Sequence, residues 1–348
     1  INCFFLVGYN LAYDIPEGGF IGSFSVWTDE SNIETGYSGY SDWFYQTMFV
    51  CATVSIVSGA VAERIKIWPF FFFAAIMAGF IYPISMGWQW GGGWLAIAGF
   101  SDFAGSTLVH ACGGAAALAG VIVLGSREGR FGVKGEKKSM VPFAASSIPL
   151  VTLGTFLLWF GWFGFNGFSQ LAMGTFDDVN AIAKIAVNTH LAGAAGVVTG
   201  AVLTRLIGGK TDIIMMLNGA LAGLVAITAE PLTPTPMTSM LIGSIGATIM
   251  YYGTKLLEHL RLDDVVGAIP VHLFAGIFGT LVVPFTNMDT SFGTQLLGTT
   301  SVCVFSFIFS YTIFRLMKET TGLRISKAAE KLGTDKAEIG VAAYSIRD

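Results

Sequence analysis

The sequence predicts an all-α polytopic membrane protein, from its composition, its glycine content and its apolar runs. Hydrophobic residues make up 53% of the 348 positions and charged residues only 12%. A soluble domain carries about 25% charged residues, so this composition excludes a soluble enzyme. The 44 glycines suit membrane helices, which pack closely through small residues. A net charge of -4 without a basic arm argues against nucleic-acid binding.

Ten apolar runs are each expected to form a membrane-spanning helix, because a bilayer core of about 30 Å requires roughly 20 apolar residues in a helix. A polar tail follows them over residues 318–348, so the predicted transmembrane domain covers residues 1–317. The first run is short, and we expect it to be the remainder of a span cut at the start of this chain. The runs occupy residues 1–13, 44–62, 69–87, 104–125, 142–165, 180–206, 214–231, 238–257, 265–286 and 294–317.

The connecting segments differ in charge between the two sides of the predicted bundle. Segment 14–42 holds six acidic residues and no Lys or Arg. All of the 19 basic residues except Lys184 fall on the other side, including the cluster of Arg127, Arg130, Lys134, Lys137 and Lys138. Basic loops face the cytoplasm. We therefore expect a multi-pass protein of the plasma membrane, the inner membrane in a bacterium, with its C-terminal tail in the cytoplasm.

Two segments 162 residues apart share a pattern that includes a histidine. Each has an aspartate, a glycine three residues later, Val-His at positions seven and eight, and a glycine at position twelve; the first begins at Asp102 and the second at Asp264. The two predicted spans run in opposite directions. This arrangement is typical of an inverted-topology repeat, in which a site forms at the repeat interface near the bilayer centre.

The two repeated histidines, His110 and His272, are the first candidate site. Eight helical residues at 1.5 Å each would place each imidazole about 12 Å into the bilayer, from opposite sides, so the two should meet. An ionisable group at that depth usually faces a cavity or pathway. A pair could line a polar track or relay protons. The alternative is that both are neutral packing residues. A metal site is not expected, because zinc needs three or four ligands and the other two histidines add none.

The repeated aspartates Asp102 and Asp264 have a structural interpretation that we favour. Aspartate at a helix start accepts hydrogen bonds from free backbone N–H groups and suits the helix dipole. For Asp102, the functional alternative is an electrostatic or orienting role beneath a cation site.

Aromatic residues gather at the span ends of the acidic side. An interfacial aromatic belt is common in membrane proteins, but aromatic faces also stabilise a desolvated cation by about 0.5–2 kcal/mol. Ser169 and Asn166 lie at the same level and could accept hydrogen bonds from a cation. Composition alone does not separate the belt from a cation vestibule. The aromatic residues are Trp43, Tyr45, Phe49, Trp88, Trp90, Trp94, Trp159, Trp162, Phe163, Phe165 and Phe168.

Several motifs resemble the ammonium transporter (Amt/Mep/Rh) family, in its bacterial Amt form, over essentially the whole chain. They are SGAVAER at 58–64, WGGGWLA at 90–96, DFAGSTLVH at 102–110, FGFN at 163–166, NTHLAGAAG at 188–196, LNGALAGLVAIT at 217–228 and DDVVGAIPVH at 263–272. The resemblance implies an inverted 5+5 helix repeat plus a final helix, with the family's first helix absent here. It implies a non-enzymatic homotrimer with one pore per subunit and no cofactor.

The resemblance also implies a role for particular side chains. The twin pore histidines match His110 and His272. The external ammonium site matches Trp90, Phe49 and Ser169, with Tyr45 where many members have Phe. A stacked phenylalanine gate matches Phe49 and Phe165, and the aspartate beneath the site matches Asp102. NH4+ would bind at the aromatic site and lose a proton, and NH3 would then pass the histidines, with the proton following along them in electrogenic members.

The chain departs from the common family pattern at two places near the histidines. Gly267 stands where an aspartate usually precedes the second histidine, and Cys112, Gly113 and Gly114 differ from the usual residues after the first. The form GAIPVHLFAG at 267–276 resembles a branch that includes members fused to cytoplasmic signalling domains.

Two alternatives to transport follow from the resemblance. The first is an ammonium sensor that conducts poorly and signals through its tail to a fused or partner domain; the second, a Rh-like neutral gas pore, is disfavoured by Trp90. Methylammonium is a further possible substrate. A PII-type regulator at the cytoplasmic face and membrane lipid are the partners that the resemblance suggests.

Overall fold

Helices form most of the computed structural model, which describes residues 1–29, 31, 37–132, 141 and 143–344. Ten of them correspond one to one with the ten predicted spans. They are α1 (Phe4–Tyr13), α2 (Gly39–Val61), α3 (Ile67–Gly87), α4 (Ser106–Leu124), α5 (Ile148–Gln170), α6 (Phe176–Gly208), α7 (Ile213–Ile227), α8 (Pro236–His259), α9 (Ile269–Phe285) and α10 (Phe292–Thr320). The basic residues Lys134, Lys137 and Lys138, and the acidic Glu30 and Glu34, lie outside the described residues.

The helices differ in their ability to cross a bilayer. Six in the described ranges, α2 to α6 and α10, are long and apolar enough to do so. Helices α1, α7 and α9 are apolar but shorter. Helix α8 is long enough, with 24 residues, but its sequence is more polar than those of the six. At 1.5 Å per residue the 15 residues of α7 span about 22 Å, less than a bilayer core of about 30 Å. The architecture is that of an all-α, multi-pass membrane protein.

Helix α4 is the centre of the bundle. Most of its residues are buried, and it packs against α2, α9 and α10. Helices α6, α7 and α8 form a second packed group, which α9 joins to α4. Glycine permits the closest crossings. A Cβ on Gly219 of α7 would lie 2.6 Å from the carbonyl oxygen of Gly196 on α6. The high glycine content therefore brings helix backbones into contact.

Buried arginines organise the basic face, which is the end of the bundle formed by residues 62–66, 123–132 and 261–268. The Arg127 side chain donates to both carboxylate oxygens of Asp263, at 2.9 and 3.0 Å, and Arg64, fully buried, donates to the Asp263 carbonyl at 2.6 Å. Burial alone would raise the pKa of Asp263, but the hydrogen bonds and charge of Arg127 and the charge of Arg64 lower it below the usual aspartate value. The backbone just before Asp264 is thereby fixed.

The C-terminal tail pairs with the same face. Helix α10 ends at Thr320, three residues beyond the predicted span, and the chain then forms an isolated antiparallel bridge between Ile65 and Arg324. The backbone N–H of Lys66 donates to the Leu323 carbonyl at 3.0 Å. Two short helical turns follow, Lys327–Leu332 and Asp335–Ile339. The tail lies against the loop that carries Arg64.

Candidate functional site

The histidines lie close to the starts of two matching helices. His110 is on α4, which begins at Ser106, and His272 is on α9, which begins at Ile269. The expectation that each lies eight residues into a helix is therefore wrong, because the residues after each aspartate form a loop. Both histidines also belong to six-residue π-helical segments, Ser106–Ala111 and Ile269–Phe274. Such segments are rare and frequently occur at functional sites.

The repeated aspartates accept hydrogen bonds from the starts of these helices. Oδ1 of the fully buried Asp102 accepts from the N–H groups of Gly105 and Ser106, and Oδ2 from those of Thr107 and Leu108, all between 2.8 and 3.0 Å. One side chain thus satisfies the four N–H groups that a helix start would leave without partners.

Asp264 repeats this arrangement on α9 with fewer contacts. Its carboxylate accepts from the N–H groups of Gly267, at 3.1 Å, and Ile269, at 2.6 Å. The glycine three residues after each aspartate has a positive φ, 105° at Gly105 and 79° at Gly267. This left-handed conformation favours glycine. The repeated aspartate and the glycine three residues after it therefore both stabilise the turn that leads into each helix.

The second repeated glycine lies where α4 and α9 cross. A Cβ on Gly114 would lie 2.6 Å from the backbone nitrogen of Leu273, and a Cβ on Gly276 would overlap the carbonyl oxygen of Ser106. Each glycine follows its histidine by four residues. Because residues four apart share one helix face, this close crossing also brings the two histidine faces together.

The two imidazoles meet at this crossing. Nδ1 of His110 and Nδ1 of His272 are 3.1 Å apart, and the two rings stack with centroids 5.1 Å apart. His110 is 3% exposed, and its Nε2 has no hydrogen-bond partner among the residues that the structure describes. A neutral imidazole has one donor and one acceptor nitrogen, so one Nδ1 carries the proton and the other accepts it.

A column of rings leads from the aromatic residues to the histidines. The Phe49 ring lies 5.5 Å from Trp90 and 4.3 Å from Phe165, and Phe165 lies 5.3 Å from His110, measured between centroids. Phe49 is 2% exposed. The two phenylalanine rings therefore lie between Trp90 and His110 in this series of ring contacts.

Polar contacts fix the end of the ring column that contains Trp90 and Phe49. The Trp90 indole donates to the Asp102 carbonyl at 2.9 Å. The hydroxyls of Tyr45 and Ser169 lie 2.9 Å apart, and each lies within 2.9 Å of the Phe165 carbonyl oxygen. The structure thus brings together the five residues that the resemblance assigns to the outer site and gate. These residues lie on α2, on α5 and in the loop before α4, and they are Tyr45, Phe49, Trp90, Phe165 and Ser169.

Trp162 is a site residue that sequence reasoning assigned only to the general aromatic cluster. Its ring stacks on His110 with centroids 5.0 Å apart and planes 16° apart, and its indole donates to Thr228 Oγ1 at 2.8 Å. The available signal was its spacing, since it precedes Phe165 by three residues and so shares its helix face.

Other candidates are placed elsewhere. Asn166 is fully buried and donates to Thr189 at 3.0 Å, away from the ring column. His190 contacts the rings of Trp159 and Phe163. Within the described ranges, no group of three or more His, Cys, Asp or Glu residues is arranged to hold a metal ion.

Sequence comparison identifies relatives over nearly the whole chain. Residues 1–344 match the Ammonium Transporter Family. A putative ammonium transporter of Synechocystis sp. is 40% identical over 345 residues, covering 97% of this chain and 77% of the relative. The ammonium transporter Amt2 of Archaeoglobus fulgidus is 37% identical, covering 98% of this chain and 77% of its own.

Solved structures show the same fold. A protein described as a sensor Amt protein superposes with a TM-score of 0.89 at 32% identity, over 97% of this chain and 86% of its own. Mep2 of Candida albicans superposes with a TM-score of 0.83 at 28% identity, over 94% of this chain and 76% of its own.

Proposed function

The chain belongs to the ammonium transporter family, and we propose that it carries ammonium across the plasma membrane through the ring column. NH4+ would bind among Trp90, Phe49, Tyr45 and Ser169, and lose a proton at the phenylalanine pair. NH3 would then pass the histidines, and the released proton would follow along the same histidine pair, so that one net charge crosses with each NH3. The observation that carries this proposal is the unbroken succession of rings from Trp90 to the histidine pair.

The chemistry of the column suits a neutral species beyond the gate. Aromatic faces stabilise a cation by about 0.5–2 kcal/mol, which is enough to concentrate NH4+ at the mouth. A bare ion in an apolar lumen would cost far more than this. The His110 Nε2, which no described residue hydrogen-bonds, lets the histidine pair offer NH3 a hydrogen-bonding surface without a fixed charge. Asp102 supports the site from below by capping α4 and holding the Trp90 indole, and Asp264 fixes α9.

The proposed orientation rests on the distribution of charge, and the proposed assembly rests on the resemblance to the family. We propose that the basic face and the tail lie in the cytoplasm, as basic loops do, and that the aromatic mouth faces outward. The unit would be a homotrimer in lipid, with residues 1–317 forming the pore and 318–348 the cytoplasmic tail. Because the tail pairs with the Arg64 loop, we propose this face as the surface on which a PII-type regulator would bind.

An ammonium sensor is the second candidate function. The observation that favours it is the tail, whose Leu323 and Arg324 pair with the loop next to Arg64, while Arg64 contacts the segment preceding α9. A change at the His272 helix could reach the tail by this route. The likeness to a sensor Amt protein agrees with this candidate.

Removing the Trp90 ring tests the proposed mouth. In proteoliposomes given an ammonium concentration jump, we expect a saturable current from the native protein that potassium does not evoke. We expect Trp90→Ala to raise the half-saturating ammonium concentration about tenfold, because a cation–π contact of up to about 2 kcal/mol is lost.

Trp68→Ala is the matched control, since Trp68 is 77% exposed on α3. It should leave the half-saturating concentration unchanged. Equal potassium and ammonium currents would contradict the selectivity proposed here. No current, with ammonium binding retained, would leave electroneutral NH3 passage or sensing, which a record of vesicle pH separates.

Substitution of the histidines tests the pore. We expect His110→Ala or His272→Ala to change flux or ion selectivity without unfolding the protein, because the rings contribute polar surface to the pathway. His190→Ala, which removes a ring outside the column, should change neither. Oligomer size and current are measured together. If both pore variants lost the trimer while surviving protein kept its flux, the histidines would be packing residues.

A further inference from the structure

We propose that Thr228 is a positioning residue for the proton step of transport, because it holds the Trp162 indole flat against His110. The indole face then stabilises the protonated imidazole while it carries the released proton. This inference rests on the proposed function, in which the proton follows NH3 along the histidine pair. It gives a role to the end of α7, which lies outside the ring column.

His110 lies between two rings that are nearly parallel to it. The Trp162 indole is 5.0 Å away with planes 16° apart, and the His272 imidazole is 5.1 Å away with planes 19° apart, measured between centroids. Trp162 and His110 are both buried. Of the two histidines, His110 is the one that stacks on an indole in the described part of the chain. The two imidazoles therefore differ in their surroundings.

The Thr228 hydroxyl fixes the indole through a hydrogen bond of defined direction. An indole N–H can only donate, and Trp162 Nε1 lies 2.8 Å from Thr228 Oγ1. The hydroxyl hydrogen must therefore point elsewhere, and it is donated to the Leu224 carbonyl at 2.7 Å. Thr228 is fully buried. The indole is thus held at its nitrogen edge, and its face remains against His110.

The main chain at the end of α7 also holds the loop before α4. The Ala104 N–H donates to the Thr228 carbonyl at 3.1 Å, and the Ser106 hydroxyl donates to the Val225 carbonyl at 2.7 Å. Helix α4 carries His110. Thr228 therefore fixes both rings of the stack, the imidazole through its carbonyl and the indole through its hydroxyl.

The indole acts on the charged intermediate of the proton step. In the tautomer in which Nδ1 of His110 donates to Nδ1 of His272, the lone pair of His110 Nε2 can bind the proton released from NH4+. His110 is then an imidazolium ion, and it becomes neutral again when its Nδ1 proton moves to His272. A buried cation is costly unless its charge is compensated. An aromatic face within about 6 Å compensates part of that charge, and an indole does so most strongly.

The test is the charge moved per NH3 in proteoliposomes, obtained from the current and the vesicle pH record after an ammonium jump. Thr228→Val keeps the shape of the side chain and removes the acceptor of the indole N–H. It should lower the charge per NH3 about fivefold, which is in the range of a desolvated cation–π contact. Thr228→Ser keeps the hydroxyl and should retain the native value. Thr155→Val is the matched control and should change nothing, because Thr155 is a buried threonine of α5 whose hydroxyl donates to the Val151 carbonyl of its own helix.

A double variant tests whether Thr228 acts through the indole. Trp162→Phe, which has a weaker ring face and no N–H, should also lower the charge per NH3. Thr228→Val added to Trp162→Phe should then lower it no further, because the two residues act as one unit. Losses that multiply in the double variant would overturn the positioning role. An equal loss of NH3 flux and of charge in Thr228→Val would do the same, since it would indicate general damage to the pore.

The failure of this inference is distinguishable from the failure of the proposed function. A native charge per NH3 in Thr228→Val would reject the inference and leave transport standing. If the native protein moves no charge, the proposed proton route fails, and the protonated fraction of His110 at acidic pH decides, read by nitrogen-15 NMR of labelled histidine. A lower fraction in Thr228→Val supports the role of the indole although transport fails, and an equal fraction rejects the inference as well.

Discussion

Replacing Gly276 with alanine is expected to separate His110 from His272 and to abolish the ammonium current. A Cβ at this position would overlap the carbonyl oxygen of Ser106, at the crossing of α4 and α9. Ser106 is fully buried, and its carbonyl belongs to the main chain, so it cannot move aside without moving the helix. Overpacking of this kind costs about 1–3 kcal/mol in free energy of unfolding. The 3.1 Å contact between the imidazoles would be lost.

Thermal unfolding in detergent and current in proteoliposomes measure the two effects. Gly161→Ala on α5 is the control, because a Cβ there meets no atom of a described residue within 4 Å. Alanine should leave the current unchanged and slightly favour the helix. Gly114→Ala, which meets the backbone of Leu273, should behave like Gly276→Ala. Native stability and current in Gly276→Ala would show that the helix crossing does not position the histidines.

Replacing Asp102 with alanine should be the most destabilising change near the mouth. Its carboxylate is the acceptor for four buried backbone N–H groups at the start of α4. An exposed N-cap contributes about 0.5–2 kcal/mol, and each buried donor left without a partner costs about 1–3 kcal/mol. We expect a loss of about 3 kcal/mol or more in stability. We also expect weaker ammonium binding, since loss of the cap would free the backbone at residue 102, whose carbonyl accepts from the Trp90 indole.

Asp264→Ala provides the comparison within the repeat. Asp264 accepts from two N–H groups at 3.1 and 2.6 Å, so its removal should cost roughly half as much. Asp102→Asn, which keeps one acceptor oxygen, should fall between native protein and Asp102→Ala. Melting temperatures of the three variants in one detergent test this order. A larger loss for Asp264→Ala, or none for Asp102→Ala, would contradict the capping role.

Much of the fold could be predicted because hydropathy and repetition are strong signals in membrane chains. Each predicted span corresponds to a helix, since twenty apolar residues leave the backbone few alternatives in a bilayer. The repeat also predicted that His110 and His272 meet. Its shared aspartates, glycines and histidines constrain the same turn, crossing and contact in both halves.

The helix type around the histidines and the rotation of α5 could not be predicted in full, because no residue type is specific to either feature. The π-helical turns at both histidines arise from a shift of backbone hydrogen bonds, and the sequence around them reads as ordinary apolar helix. The rotation of α5 was only partly visible. The three-residue spacing from Phe165 pointed to Trp162, but Trp159 lies one further turn away and is aromatic too, and of these two tryptophans Trp162 is the one that stacks on His110. A helix that is apolar all round gives no periodicity from which to orient it.

The Nδ1–Nδ1 contact gives the histidine pair a polarity. Because only one of the facing nitrogens can carry the proton, the two rings must be opposite tautomers, with one Nε2 a donor and the other an acceptor. Passing a proton through the pair exchanges these tautomers, and a second proton cannot follow in the same direction until both rings reset. Neutral ammonia requires no such reset. The same two side chains would therefore set different upper limits on charge flow and on gas flow through a single pore.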